Sequence, residues 1–242
     1  MKRRSMVGAS LAVVASLALA GSALAAGFTN GGFANPNDYS VGSYVTLGAG
    51  YGSATAIPGW TVTSGNIDWI GSLWQSADGD GYSLDMSGFE PGAISQTFDT
   101  MPNATYFVSF SLSGNPYAST DPSLTSPSDK TLTVSATGAA PGYYAYNTST
   151  AGNSTSDMKW ATEGYSFVAT SSSTTLTFTS TTAGAFGPAL DNVTVTQEAT
   201  ATGAQCKAGG WKTMYDANGN LFTNQGQCVS YFATSGAVPI GN

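Results

Sequence analysis

The sequence predicts an all-β protein, an antiparallel β-sandwich, and three observations carry that prediction. Apolar and polar residues alternate with period two through a series of short runs. Gly, Ser and Thr punctuate those runs, and only 9% of the residues are charged, against roughly a quarter in an ordinary soluble domain. After residue 26 no stretch carries the 3.6-residue apolar period of an amphipathic helix.

The runs follow one another along the chain. Gly59 to Ser64 (GWTVTS) and Asn66 to Ile70 (NIDWI) are separated only by Gly65, and Gly92 to Phe98 (GAISQTF) follows a Pro-Gly turn. Thr105 to Ser113 (TYFVSFSLS) sets Val108, Phe110 and Leu112 on one face and Ser109 and Ser111 on the other. Lys130 to Thr137 does the same with Leu132, Val134 and Ala136. Tyr165 to Ala169, Thr174 to Ser180 and Leu190 to Thr196 complete the set. Side chains alternate faces along a strand, so each run offers one apolar and one hydroxyl-rich face. Trp69 shares a face with Ile67, and Ile70 takes the other; period two leaves open which of them meets water. Asp78-Gly79-Asp80-Gly81 supplies the positive-φ positions of a tight hairpin turn, with calcium ligation by Asp78, Asp80 and Asp85 the alternative. Asn115 to Asp129 and Pro141 to Asp157 are expected to be long surface loops.

Both ends of the chain differ from this middle. Lys2-Arg3-Arg4, the apolar run Val7 to Ala20, and Ala23-Leu24-Ala25 read as a cationic start, a hydrophobic region and a cleavage site. Residues 1–25 are therefore expected to be a secretory signal peptide, leaving a mature chain with no membrane span. The sandwich domain is expected over 26–197, a small-residue linker over 198–204, and a distinct tail over 205–242. That tail holds both cysteines. In an exported protein the pair most simply forms a disulfide, Cys206 to Cys228.

Charge excludes several functions. Seven Lys and Arg stand against fourteen Asp and Glu, with no His. Removing the leader leaves four Lys and fourteen acids, 4 − 14 = −10, and no Arg. Four scattered lysines cannot build the basic face that nucleic acid requires. Without His, there is no Ser-His-Asp or Cys-His catalysis and no His-ligated metal. A two-carboxylate glycosidase would have to draw on Glu90, Glu163, Glu198 or an Asp pair, and no constellation marks one. No enzyme is expected.

Several phrases occur in a recognisable order: NGGFA (30–34), IPGW (57–60), IDWIG (67–71), Trp74-Gln75, SLDMSG (83–88), PGAISQTF (91–98), Gly114-Asn115-Pro116, Met158-Lys159-Trp160 and GAFGPALDNV (184–193). The series resembles the bacterial choice-of-anchor C domain family, related to plant cell-wall proteins that carry paired copies of this domain. That resemblance implies a galactose-binding-like jelly roll that is extracellular, non-enzymatic and a binder of polysaccharide or of a cell-envelope component. The tail is similar to a short Cys-x-x-Gly-Gly-Trp ending of secreted bacterial proteins. The resemblance also implies a structural calcium between an N-terminal Glu and an Asp of the last strand. Asp191 matches the Asp, whereas Ala34 stands where the Glu is common. No cofactor is expected, with a structural calcium at Asp191 as the one alternative.

Sugar binding uses flat aromatic faces flanked by amides, hydroxyls and carboxylates. The candidate ligand-binding residues are Trp69, Trp74, Tyr82, Tyr143, Tyr144 and Tyr146, the last three in a predicted loop. Trp60, after Pro58-Gly59, is assigned to the core. Two further readings stand beside sugar binding: a structural or adhesive surface protein, and the hydrolase. Exposure of Trp69, Trp74 and Tyr82 on one concave face favours sugar, and burial of all three favours the structural reading.

Overall fold

The computed structural model describes residues 23–117, 126–198, 200–201, 203–214, 216, 220–234 and 238–239. The predicted leader up to residue 22 and the centre of the predicted loop 115–129 lie outside the described residues. In chain order the strands of the sandwich are β1 (Ala23–Leu24), β2 (Tyr44–Gly48), β3 (Thr61–Ser64), β4 (Asn66–Ile70), β5 (Ser83–Asp85), β6 (Ala93–Asp99), β7 (Thr105–Gly114), β8 (Asp129–Ala136), β9 (Gly142–Asn147), β10 (Ala161–Val168), β11 (Ser173–Ser180) and β12 (Pro188–Gln197).

Two antiparallel sheets result. One runs β10-β7-β12-β5-β4-β2, with β1 added to β12; the other runs β3-β6-β11-β8-β9. From β2 to β12 the chain changes sheet at all but two steps, β4 to β5 and β8 to β9. This is the crossing pattern of a jelly roll, and it lets every alternating run turn its apolar side inward. Ile67, Trp69, Val108, Phe110, Leu112 and Leu190 from the larger sheet meet Val62, Ile94, Phe98, Leu132, Val134, Leu176 and Phe178 from the smaller. Phe110 and Phe178 pack edge to face at 5.3 Å between ring centres, a favoured aromatic geometry. Trp60 is buried as expected, its indole N–H donating to Asn30 O at 2.8 Å.

The question that period two left open has a plain answer: neither side of β4 is wet. Ile67 and Trp69 enter the main core, whereas Ile70 joins a second apolar cluster with Trp74, Met158 and Ala189 on the outer side of the larger sheet. The smaller sheet keeps its hydroxyl-rich outer face in solvent. There Thr97 and Thr175 lie at 2.8 Å and Thr131 and Thr181 at 2.8 Å, in rows across neighbouring strands.

Strands β2, β5 and β9 were not expected. β5, three residues long, is too short to show a period. β9 corrects the predicted loop 141–157: Gly142–Asn147 pairs antiparallel with β8 from Asp129 to Val134. Two α-helices among the described residues also depart from the expectation of none after residue 26, the single-turn α1 (Thr148–Ala151) and α2 (Gln225–Thr234).

Strand β12 is the hinge of the architecture. β7 occupies one of its edges from Pro188 to Gln197, with an irregularity between Asp191 and Thr194. On the other edge β5 covers Ala189 and Leu190, and β1 covers Thr196 and Gln197. The last residues of the predicted leader are thus built into the sheet edge, and Ala25 is buried. Between β5 and β1 the open edge is filled by Gly31, whose carbonyl accepts from Val193 N at 2.9 Å. A Cβ at Gly31 would stand 1.7 Å from Val193 O, so only glycine approaches this closely. The bulge re-aims Asp191, as bulges near functional surfaces often do.

The tail is a small unit with its own core. Cys206 and Cys228 are bonded and pack with Phe222 and Phe232, flanked by Trp211, Met214, Val229 and Tyr231. A 3-10 segment, Lys207–Thr213, and α2 frame it. Thr200–Ala201 in the predicted linker (β13) pairs with Val238–Pro239 (β14). The bridge closes a 22-residue separation, worth roughly 3 kcal/mol on the chain-entropy model. Replacing both cysteines by serine is expected to leave the sandwich's unfolding midpoint unchanged while exposing 203–234 to protease first. Limited proteolysis followed by mass spectrometry checks this, and simultaneous loss of the sandwich would refute it.

Candidate functional site

A concavity of about 840 Å³ lies over the outer end of the larger sheet. That is within the usual size range of small-ligand sites. Its lining comes from two stretches, Tyr39–Gly42 and Gly71–Tyr82, the second including Trp74.

Local sequence explains each wall. Asn35 folds the first stretch back: its Oδ1 accepts from Tyr39 N at 2.9 Å and its Nδ2 donates to Tyr39 O at 2.7 Å. The second stretch is a ladder of side-chain-to-backbone bonds typical of Asx turns. Asp78 Oδ1 accepts from Asp80 N at 3.0 Å, Asp80 Oδ1 from Tyr82 N at 2.8 Å, and Ser76 Oγ from Gly81 N at 3.0 Å. Gly79 and Gly81 hold φ of 84° and 90°, which this winding requires. Asp191 then ties the loop to the sandwich, its Oδ2 accepting from Ala77 N at 2.6 Å and its Oδ1 from Asn192 N at 2.6 Å.

Trp69 is the floor beneath the site. It has no exposed surface, and its indole N–H donates to Phe33 O at 2.9 Å. Tyr39 leans on it at 5.8 Å between ring centres and Tyr82 at 5.9 Å. Trp74 is buried in the wall, donating to Ser83 Oγ at 2.8 Å. Trp69, Trp74 and Tyr82 are therefore gathered at one concave place, but only Tyr82 offers its ring to solvent in any measure. Tyr39, 38% exposed, is the partner that sequence reasoning missed.

The other three candidates lie on β9, in the other sheet, and alternate. Tyr143 is 77% exposed. Tyr144 turns inward, edge-on to Phe110 at 5.0 Å, with its hydroxyl donating to Gly164 O at 2.7 Å. Tyr146 is buried, its hydroxyl bonded to the carbonyls of Met158 and Lys159 at 3.2 and 3.1 Å. Tyr143 and Tyr144 line a smaller hollow of about 310 Å³ with Thr131, Leu132 and Thr181. Strand alternation prevents the three from forming one aromatic surface.

Carboxylates cluster around the cleft. Burial pushes the Asp191 carboxyl up to about 7, reinforced by the charges of Asp78 and Asp80 and opposed by its two N–H donors. Burial raises Asp80 to about 6, with neighbouring Asp78 adding to the rise. Deeper, Asp68 and Asp85 stand opposite one another on β4 and β5. Burial lifts Asp68 to about 6 and Asp85 to about 7, with Asp68 adding to the latter. Asp85 Oδ1 accepts from Ser87 N and Gly187 N, both at 2.9 Å, and its Oδ2 from Asn115 Nδ2 at 2.7 Å. A carboxylate so enclosed holds loops together and meets no substrate. Asp191 spends both oxygens on backbone N–H groups, Ala34 adds no carboxylate, and among the described residues no three His, Cys, Asp or Glu side chains converge as metal ligands do.

A family model described as "Protein of unknown function (DUF642)" matches residues 27–196. Among curated proteins, halomucin of Haloquadratum walsbyi is 34% identical over 173 residues, 69% of this chain and 2% of its own length. The chain thus spans a small fraction of that relative. Among solved structures, a family 35 carbohydrate-binding module from Clostridium thermocellum is 15% identical with a TM-score of 0.39, covering 60% of this chain and 96% of its own. CBM35 from Paenibacillus barcinonensis is 19% identical with a TM-score of 0.39, covering 57% and 92%.

Proposed function

The chain belongs to the DUF642 family of proteins of unknown function, and on that premise we propose that it is a secreted, non-catalytic module that binds polysaccharide in the Tyr39–Tyr82 cleft. The proposal places it in the bacterial choice-of-anchor C branch of such domains, released by cleavage near Ala25. One observation carries the reading: two tyrosine rings, both braced on Trp69, border a concavity whose other side chains include hydroxyls, the amide of Gln75 and two carboxylates. Rings of this kind stack on the apolar face of a pyranose, and the polar groups around them receive its hydroxyls. Bracing matters because a ring already held by packing loses little freedom on binding.

The test is retention on insoluble polysaccharides together with a glycan array. Tyr82→Ala and Tyr39→Ala are each expected to weaken binding about tenfold, as truncated interface aromatics commonly do, at a temperature where both variants are folded. Unchanged binding in both variants would remove the cleft from the proposal. A second reading, attachment through the tail to a cell-envelope partner, is favoured by the tail's separate stapled core. Deleting 203–242 is expected to abolish envelope association under that reading and to leave glycan retention intact under the first.

A further inference from the structure

Lys130 is a buried group that neither the packing of the sandwich nor the cleft accounts for. It lies on β8 with 1% of its surface exposed, and a lysine so enclosed is ordinarily paired with a carboxylate. Among the described residues the single ion pair lies elsewhere, between Lys159 and Asp157. Lys130 Nζ instead donates to Phe186 O at 2.5 Å and to Ser126 Oγ at 3.4 Å. The peptide that receives it is gripped by two more buried residues. Gly187 N donates to Asp85 Oδ1 at 2.9 Å, and Gly187 O accepts from Asn115 N at 2.9 Å. Phe186 holds a φ of 61° there, in the left-handed region that residues with a side chain seldom enter. The stem of Lys130 runs along Gly114, where an added Cβ would stand 2.7 Å from its Cγ. An amine, an amide and a carboxyl, all buried, thus meet around one peptide between the two sheets.

We infer that Lys130 and Asn115 become joined by an amide bond that the chain makes for itself, tying the smaller sheet to the larger. Each part of the step has a group in place. Lys130 Nζ, as the neutral amine, attacks Asn115 Cγ. The oxygen that becomes negative, Asn115 Oδ1, already accepts from Tyr117 N at 2.9 Å. The leaving nitrogen, Asn115 Nδ2, lies 2.7 Å from Asp85 Oδ2. That carboxyl gives it a proton and takes up the one that Nζ sheds. The Cγ–Nζ bond forms, the Cγ–Nδ2 bond breaks and one ammonia leaves, with nothing oxidised or reduced. Burial pushes Asp85 up to about 7 and Lys130 down from its ordinary value, both toward the neutral forms this exchange uses. A competing fate of an Asn amide, ring closure by the nitrogen of the next residue, is shut off here. That residue is Pro116, whose nitrogen carries no hydrogen.

Peptide mass spectrometry of the full chain, digested after folding, tests this. Cleavage before Asp121 and Asp129 separates Asn115 from Lys130 in an unlinked chain. The two are instead expected in one branched peptide, lighter than its parts by the mass of one ammonia. Asp85→Asn and Lys130→Arg should each yield two separate peptides of full mass, with circular dichroism showing that the variants are folded. Asn115→Asp should form the same branch with loss of water in place of ammonia. Should a variant fail to fold, the parent's own peptides still decide the matter. Two separate peptides of full mass from the folded parent overturn the inference, and so does a branch that joins other residues. A branch that persists in folded Asp85→Asn overturns the proton transfer assigned to Asp85.

Discussion

Trp69→Ala is expected to unfold at a temperature roughly 10 °C below the parent chain and, under the proposed cleft reading, to lose retention on polysaccharide. A buried Trp cut to Ala costs about 3–5 kcal/mol, and each kcal/mol moves the midpoint of a domain this size by about 2–4 °C. The loss has two parts. Transfer of a fully buried indole out of the core leaves a cavity against Phe33 and Leu84, and Phe33 O loses its N–H donor. Binding falls separately, because Tyr39 and Tyr82 both lean on the ring that has gone. Trp69→Phe is expected to fall between the two, keeping a ring to lean on while losing the hydrogen bond. Thermal unfolding followed by circular dichroism, with retention on polysaccharide at a temperature where the variant is folded, checks both. A midpoint within 2–3 °C of the parent would contradict the assignment of Trp69 as the shared floor.

Stability increases as the solution is acidified from pH 8 to pH 5. Asp85 and Asp191 titrate near 7 in the folded protein and Asp68 and Asp80 near 6, all from an ordinary value of 3.8. A raised folded pKa means that the folded state binds the proton more tightly than the unfolded chain does. Stability is therefore gained as pH falls through 7 and 6, is complete near 4, and is lost again on returning to 8. For the two most buried groups this is on the order of 3 kcal/mol each, so the midpoint at pH 5 should exceed that at pH 8 by at least about 5 °C. Asp191→Asn should flatten part of the profile, at the cost of one N–H acceptor. A midpoint that stays flat or falls between pH 8 and 5 would rule the account out.

The sandwich was legible because long alternating strands are a periodic signal, and β4, β7, β8, β11 and β12 show it over five to ten residues. β5 has three residues and β2 five, with one buried position in β2, so neither carries enough pattern to be seen. β9 was hidden by its company: Gly, Asn, Ser and Thr on either side read as loop, and only pairing with β8 makes it a strand. The cleft was half legible. Trp69, Trp74 and Tyr82 are close in sequence and met at one place, but their burial depends on which loops cover the outer end of the sheet. Tyr39 sits in a turn with no period, and it reaches Trp69 only because Asn35 folds it back. Asp191 was singled out by its position in the last strand. Its partner is a backbone N–H 114 residues away, a relation no local pattern encodes.

The hydroxyl rows on the outer face of the smaller sheet have a consequence for the waters in which this fold holds together. Its central positions carry threonine and serine, joined to one another across strands. Among the described residues one ion pair is present, Lys159 with Asp157, both exposed. Dissolved salt weakens proteins chiefly where opposite charges on the surface attract one another across solvent, and this surface offers it almost nothing to weaken. Salt therefore has few surface attractions to weaken here and an excess of like charge to screen, so brine is expected to hold this sandwich together at least as well as fresh water.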